Sequence, residues 1–194
     1  MNKFNLIIID MDGVLANFRV GCCKLFNTEL TEEMRKTWDF DEIMSIPLSR
    51  FWKTIAKCDN FWLDLPIFPW ARSLVKMAEH YTDDILICSK SPSDANCYSQ
   101  KRKWLDKHKF GKYEHFIGSG NKGWLARKDR VLIDDYINNI RDFISKGGIT
   151  VLFPMEYSLK YLDLKENVKD KVAYTERVLK VALRNMEDKH GRRN

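Results

Sequence analysis

Asp10 and Asp12 stand one residue apart, directly after the apolar run Leu6 to Ile9 and before Gly13. A carboxylate held at the end of a buried strand can attack phosphorus and form an aspartyl-phosphate. A second carboxyl beside it can protonate the leaving oxygen, then deprotonate the water that hydrolyses the intermediate. Gly13 lets the chain turn sharply away. Turns favour Asp and Gly for their own reasons, so this tetrad by itself is a weak signal. It gains weight from Asp134 and Asp135, a second acidic pair after a second apolar run, Val131 to Ile133. Clustered carboxylates repel one another and titrate abnormally unless a cation lies between them. Hard oxygen ligands suit Mg2+, which takes one or two carboxylates together with phosphate and water. Ser89, at the end of a third run, can hold a phosphate oxygen, and Lys122 can neutralise phosphate charge. Phosphoryl transfer needs mainly positioning and charge neutralisation, and this set supplies both.

These side chains need a scaffold that delivers them to one place. Phe4 to Ile9, Ile85 to Cys88, Val131 to Ile133 and Ile149 to Phe153 are short apolar runs of the kind that form strands buried on both faces, and His115 to Ile117 is a shorter fifth. Helical patterns alternate with them: Trp70 to Tyr81, with Pro69 near its first turn; about Asp94 to His108; and about Ile137 to Ser145, with Gly147 as a left-handed stop. The alternation predicts an α/β fold with a doubly wound, mostly parallel sheet. Ligands bind such sheets at the carboxyl ends of the strands, where Asp10, Ser89 and Asp134 fall. Residues 15–66 break the alternation with three helical stretches, Phe18 to Phe26, Glu32 to Trp38 (with Thr31 as N-cap) and Leu48 to Cys58. They are rich in aromatics, Phe18, Phe26, Trp38, Phe40, Phe51, Trp52, Phe61 and Trp62. An insertion after the first strand predicts a small helical cap over the site. The expected organisation is a core from residues 1–14 and 67–154, a cap from 15–66, and a basic amphipathic helix within 155–194. That helix carries Leu164, Val168, Val172, Leu179, Leu183 and Met186 at helical spacing and docks on the core.

The 194 residues suit one domain plus a cap. Hydrophobic residues at 44% and charged residues at 31% are ordinary for a soluble globular chain, which excludes collagenous and disordered classes. The first apolar run is too short for a signal peptide, and no stretch approaches the ~18 apolar residues of a membrane span. A cytoplasmic protein with no membrane association is expected. Five cysteines without paired CxxC motifs exclude a disulfide framework and a zinc site and predict free thiols. The four histidines show no ligand spacing. The formal charge is +6, and residues 165–194 hold nine Lys or Arg against five Asp or Glu. This excess favours anionic partners or is a solvated helix face.

The ordered set, Asp10-Met11-Asp12-Gly13-Val14, Ser89, Lys122 and Asp134-Asp135, resembles the haloacid dehalogenase superfamily of phosphatases. IIIDMDGVLANF, ILICSKSP and RVLIDD are similar to the first, second and fourth motifs of its 5′(3′)-deoxyribonucleotidase branch, and NFWLDLPIFPWA to the segment that leaves the cap. The resemblance runs to about Pro154. It implies Asp10 as nucleophile and Mg2+ ligand, and Asp12 as acid/base with its carbonyl on the metal. It implies Ser89 and Lys122 on the phosphate, Asp134 as a direct metal ligand, and Asp135 acting directly or through water. Phe18 and Trp62 would stack on a base, and Lys101 would approach the phosphate. Two points stay open. The third-motif lysine is Lys122, between glycines, or Lys128. The second motif has Lys90 after Ser89 where the family often has another hydroxyl.

The function expected is Mg2+-dependent hydrolysis of (deoxy)ribonucleoside monophosphates through an aspartyl-phosphate. The competing enzyme reading is a phosphatase for another small metabolite or for a nucleic-acid end. A binding protein on an inactive phosphatase fold is the third, disfavoured because every motif aspartate is present. A monomer and a homodimer are both compatible with the sequence.

Overall fold

In the computed structural model, which describes residues 3–92, 94–118, 120–162 and 168–191, the expected alternation is realised. The chain runs β1 (Leu6–Asp10), α1 (Phe18–Leu25), α2 (Glu32–Lys36), α3 (Phe40–Ile43), α4 (Leu48–Ala56), α5 (Ala71–Ala78), β2 (Ile85–Lys90), α6 (Ala95–Lys107), β3 (Glu114–Gly118), β4 (Arg130–Asp134), α7 (Ile137–Ser145), β5 (Ile149–Leu152) and α8 (Lys171–Gly191). A 3₁₀ turn at Lys122–Leu125 precedes β4, and another at Glu156–Tyr161 follows β5.

The strand order is β3-β2-β1-β4-β5, and every pairing within this sheet is parallel. Parallel strands buried on both faces need continuous apolar runs, and β1 meets this with Ile7, Ile8 and Ile9 all at 0% exposure. Alternation along the strand sends Ile7 and Ile9 to the face covered by α5, α6 and α8. Ile8 goes to the opposite face, with Leu132, Cys88 and Phe143 of α7. Burying each such side chain contributes roughly 1.5–3 kcal/mol. The order reverses between β1 and β4, and ligands enter α/β sheets outside the carboxyl ends of the strands at such a reversal. Asp10 and Asp134 end those two strands.

The helical insertion hangs from a two-stranded neck. Asn17 N donates to Pro66 O (2.7 Å) and Phe68 N donates to Leu15 O (2.9 Å), so the chain leaves and re-enters at one point. Helix α1 is capped by the Asn17 side chain, and α2 by Thr31 as expected. The return limb is tied to α6. Gln100 accepts from Trp62 N (3.0 Å) and donates to Asp59 O (2.6 Å), and Trp104 Nε1 donates to Leu65 O (2.8 Å). Helix α7 is followed by Gly147 at φ +83°, the left-handed stop that the sequence predicts.

The last helix starts later than the apolar spacing suggests. Leu164 lies outside the described residues, and Val168 precedes the helix. Asp170 accepts from Ala173 N (2.9 Å), so a side-chain cap, and not the first apolar residue, sets the start. Helix α8 packs on α5 and β5 with Leu179 fully buried. All five cysteines are free, four of them buried. Among the described residues no helix is long and apolar enough to cross a membrane.

Candidate active site

Asp10 closes β1 with its side chain buried, and the backbone then turns at Gly13 with φ +88°. A Cβ at Gly13 would lie 2.0 Å from Asp135 Oδ2, so only glycine allows the first acidic loop to approach the second. Asp134 and Asp135 arrive on β4 and just after it, at 0% and 2% exposure. Asp10, Asp134 and Asp135 each present an oxygen within 4.8 Å of the others.

Two lysines meet these carboxylates from different elements. Lys122, from the 3₁₀ turn before β4, lies 2.5 Å from Asp10 Oδ1 and 2.7 Å from Asp134 Oδ2 at 4% exposure. Lys128 is exposed, so Lys122 is the lysine that reaches the acidic pairs. Lys101 of α6 is fully buried. Its Nζ donates to Asp12 Oδ2, to Ser89 Oγ (2.8 Å) and to the Lys90 carbonyl (2.9 Å). Ser89 Oγ donates to the same Asp12 oxygen (3.0 Å). Its neighbours Arg102 and Lys103 give it the sequence pattern of an exposed helix lysine, yet the fold places it against Asp12. Ser91 does not replace the missing second hydroxyl, because its Oγ contacts Pro92 O (3.0 Å) and Cys97 Sγ (2.8 Å).

Asp10, Asp12 and Asp135 line a cavity of about 440 Å³. Phe18, Phe51, Trp52 and Trp62 of the insertion line it, together with Asp10, Asp12, Lys90 and Lys122. Phe18 stands between Trp52 (6.2 Å, 24°) and Trp62 (5.5 Å, 16°). Trp62 is 3% exposed, with Lys101 Nζ 4.5 Å from its ring centroid, whereas Trp52 keeps 39% exposure. The set expected from the sequence therefore converges, and Trp62 is the most enclosed of its aromatic members.

Some groups escaped the sequence reading. Asn139 on α7 donates to both Asp134 oxygens (3.2 and 3.0 Å), and Tyr136 N donates to Asp134 Oδ1 (2.9 Å). An amide on the first helical turn after an acidic pair was a signal that could have been read. Tyr157 donates its hydroxyl to Asp135 Oδ2, and Arg19 lies over the Tyr157 ring. Neither has local sequence support, because their partners are remote in the chain.

Burial pushes the Asp10 carboxyl up to about 7; Lys122 opposes the rise, and Asp134 and Asp12 add to it. Burial, then Asp10 and Asp134, hold Asp135 well above the carboxylate range. Lys122 is held above its ordinary value, because Asp10 and Asp134 outweigh the opposing effect of its burial. The cluster holds more negative charge than its lysines neutralise. Asp12 Oδ1 and Asp135 Oδ1 are buried without a hydrogen-bond partner among the described residues. An orphaned carboxylate oxygen beside two further carboxylates fits a hard divalent cation such as Mg2+.

A stability prediction follows with a definite sign. A carboxyl whose folded pKa is raised contributes stability that is complete below the unfolded value and is lost as pH rises through the folded one. In excess chelator, Asp10→Asn should match the parent near pH 4 and become the more stable form by pH 8. The gap opens between 3.8 and about 7 and reaches on the order of a few kcal/mol. Chemical denaturation at both pH values measures it, and a gap that stays constant with pH contradicts the assignment.

A family model described as 5′ nucleotidase, deoxy (Pyrimidine), cytosolic type C protein matches residues 4–173. No curated protein matches the chain. Among solved structures, the fold is similar to the YfnB protein of Bacillus subtilis, described as a HAD-hydrolase and bound to magnesium. That match has a TM-score of 0.56 at 14% identity and covers 92% of this chain and 99% of that one. It is also similar to a haloacid dehalogenase-like family hydrolase from Xanthomonas campestris (TM-score 0.53, 12% identity, 100% of both chains). A third is D,D-heptose 1,7-bisphosphate phosphatase from Burkholderia thailandensis (TM-score 0.52, 11% identity, 90% of this chain and 98% of that one). At these identities the likeness carries the fold.

Proposed function

The chain belongs to the 5′ nucleotidase, deoxy (pyrimidine), cytosolic type C family and is a phosphoric monoester hydrolase of the haloacid dehalogenase type; from that premise we propose that it hydrolyses nucleoside monophosphates, with Mg2+, through a phosphoryl-Asp10 intermediate in a cytoplasm. The observation that carries this reading is the cavity itself. Asp10, Asp12, Asp135 and Lys122 line it together with Phe18, Phe51, Trp52 and Trp62. A volume of about 440 Å³ lies in the range of small-molecule sites. Aromatic rings and phosphate-binding groups lining one cavity match a substrate with a flat ring at one end and a phosphate at the other.

An Asp10 oxygen attacks phosphorus, and the phosphorus–ester oxygen bond breaks. Asp12 delivers its proton to the departing oxygen, releasing the nucleoside as an alcohol. It then takes a proton from the water that attacks the phosphoryl group, which frees inorganic phosphate and restores Asp10. Lys122, Lys101 and Ser89 hold the phosphoryl oxygens and offset their charge. Asp10, Asp134 and Asp135, with the Asp12 carbonyl, would hold Mg2+, which supplies charge neutralisation at the phosphate when bound. The insertion of residues 15–66 acts as a cap that excludes water and polymeric substrates, with Phe18 and the tryptophans against the base.

Phosphate release from a panel of nucleoside monophosphates and sugar phosphates, with Mg2+ and with excess chelator, tests this. We expect Mg2+-dependent release that favours deoxynucleoside monophosphates. Release confined to sugar phosphates would keep the Asp10 chemistry and overturn the aromatic base site. Equal release in chelator would overturn the metal assignment.

A further inference from the structure

Tyr157 has no part in the chemistry above, yet it touches both halves of the site. It lies in the 3₁₀ turn after β5 at 5% exposure, and its hydroxyl donates to Asp135 Oδ2. The other oxygen of that carboxylate is buried without a hydrogen-bond partner among the described residues, and Asp135 offers an oxygen within 4.8 Å of oxygens of Asp10 and Asp134. Gly13 closes the remaining side: a Cβ there would lie 2.0 Å from Asp135 Oδ2 and 2.9 Å from the Tyr157 hydroxyl. Asp135 is thus held at one oxygen and open at the other.

The opposite side of Tyr157 belongs to the insertion. The Arg19 guanidinium lies 4.1 Å from the ring centroid and donates to the carbonyls of Met34 and Trp38 (the latter at 3.2 Å). Trp38 meets Tyr157 edge-on (5.3 Å, 70°) and stacks on Tyr136 (4.1 Å, 20°), the residue after Asp135. A cation over an aromatic face is attracted by the ring quadrupole, and more strongly when both are desolvated. Arg19 on α1 and the segment after α2 therefore fix where the Tyr157 ring sits, and the ring fixes the carboxylate.

We propose that Tyr157 is a positioning residue that orients Asp135 for a divalent cation, and that Arg19 and Trp38 make this grip depend on the helical insertion. A tyrosine needed only for packing could satisfy its hydroxyl on any buried acceptor. Here the acceptor is the one carboxylate in the acidic trio with a fully buried oxygen that has no partner among the described residues. Partners that orient a ligand in this way typically matter ~10–100-fold for metal affinity. The consequence for function is a coupling: contacts made by the insertion also set the cation site. The proposal rests on the cation site described above.

The test titrates Mg2+ into substrate-free protein and follows the thermal midpoint, since a bound ligand stabilises the folded state by mass action. The wild type, Tyr157→Phe and Arg19→Met are compared, and phosphate release is measured over the same Mg2+ series. Tyr157→Phe keeps the ring and deletes the hydroxyl. It should need about 10–100-fold more Mg2+ for half of the stabilisation, with the activity lost at low Mg2+ recovered at high Mg2+. Arg19→Met leaves the hydroxyl bond in place, and should shift the Mg2+ midpoint the same way by a smaller factor. A Tyr157→Phe titration that overlays the wild type, or one offset equally at every Mg2+ concentration, overturns the positioning role. An Arg19→Met midpoint equal to the wild type overturns the coupling. A wild type that does not respond to Mg2+ overturns the cation site and this proposal together, whereas failure of the variants alone leaves the site standing.

Discussion

Asp10→Asn abolishes turnover. Phosphate release should fall by at least ~10⁴-fold, the scale on which loss of a covalent nucleophile acts. Asparagine matches aspartate in shape, so the end of β1, the Gly13 turn and the aromatic cavity all remain. The stability gain expected for this variant in chelator at pH 8 separates lost chemistry from lost fold. Asp12→Asn gives the contrasting result. Asp10 can still attack, but nothing protonates the departing oxygen or activates the water, so turnover drops by ~10²–10⁴-fold. With an activated ester that departs without a proton, the phosphorylated form accumulates and appears in the intact mass. Substantial hydrolysis by purified Asp10→Asn protein would sink the covalent mechanism.

Lys122→Met acts on fold and chemistry at once. The Lys122 ammonium is 4% exposed and serves Asp10 and Asp134, both buried, at 2.5 and 2.7 Å. Removing one side of a buried pair leaves charge uncompensated and costs about 3–5 kcal/mol. The stability loss should be largest near pH 8, where the Asp10 carboxyl, raised to about 7, is ionised, and smaller near pH 5, where it is protonated. Mg2+ should restore part of it, because a cation again offsets the aspartates. Activity in saturating Mg2+ should remain ~10²–10³-fold down, as for loss of one group that stabilises developing charge. Denaturant unfolding at both pH values, with and without Mg2+, gives the answer. Unchanged stability at pH 8 would mean that Lys122 does not neutralise the cluster.

Both predictions concern residues that local sequence could identify. Asp10 and Asp134 end strands whose apolar runs are unambiguous, and a parallel sheet brings strand ends to one edge. The register pairs Asp10 with Cys88 on β2 and Ile9 with Ile133 on β4, so the groups at the three strand ends had to meet. Spacing admitted both Lys122 and Lys128, and the glycines around Lys122 favoured it. The choice between them depends on a 3₁₀ turn whose Asn121 side chain accepts from Gly123 N (2.9 Å) and whose first residue faces inward.

Lys101 shows the opposite situation. In sequence it sits among Arg102 and Lys103, a pattern typical of a wet helix face. In the fold, Gln100 and Trp104 tie α6 to the return limb of the insertion, and the helix rotates Lys101 onto Asp12. Tyr157, Arg19 and Trp38 are a stronger case, because each owes its position to contacts across the interface between insertion and core.

The sequence by itself determined the strands, their parallel arrangement and the identity of the acidic groups at their ends. These follow from local periodicity and from the chemistry of few residue types. Only the tertiary structure decided which lysines reach the carboxylates, how enclosed Trp62 is, and which tyrosine holds Asp135. Those outcomes depend on rotations of helices and on the seat of a remote insertion, which are set by packing between segments far apart in the chain and leave no periodic trace along it.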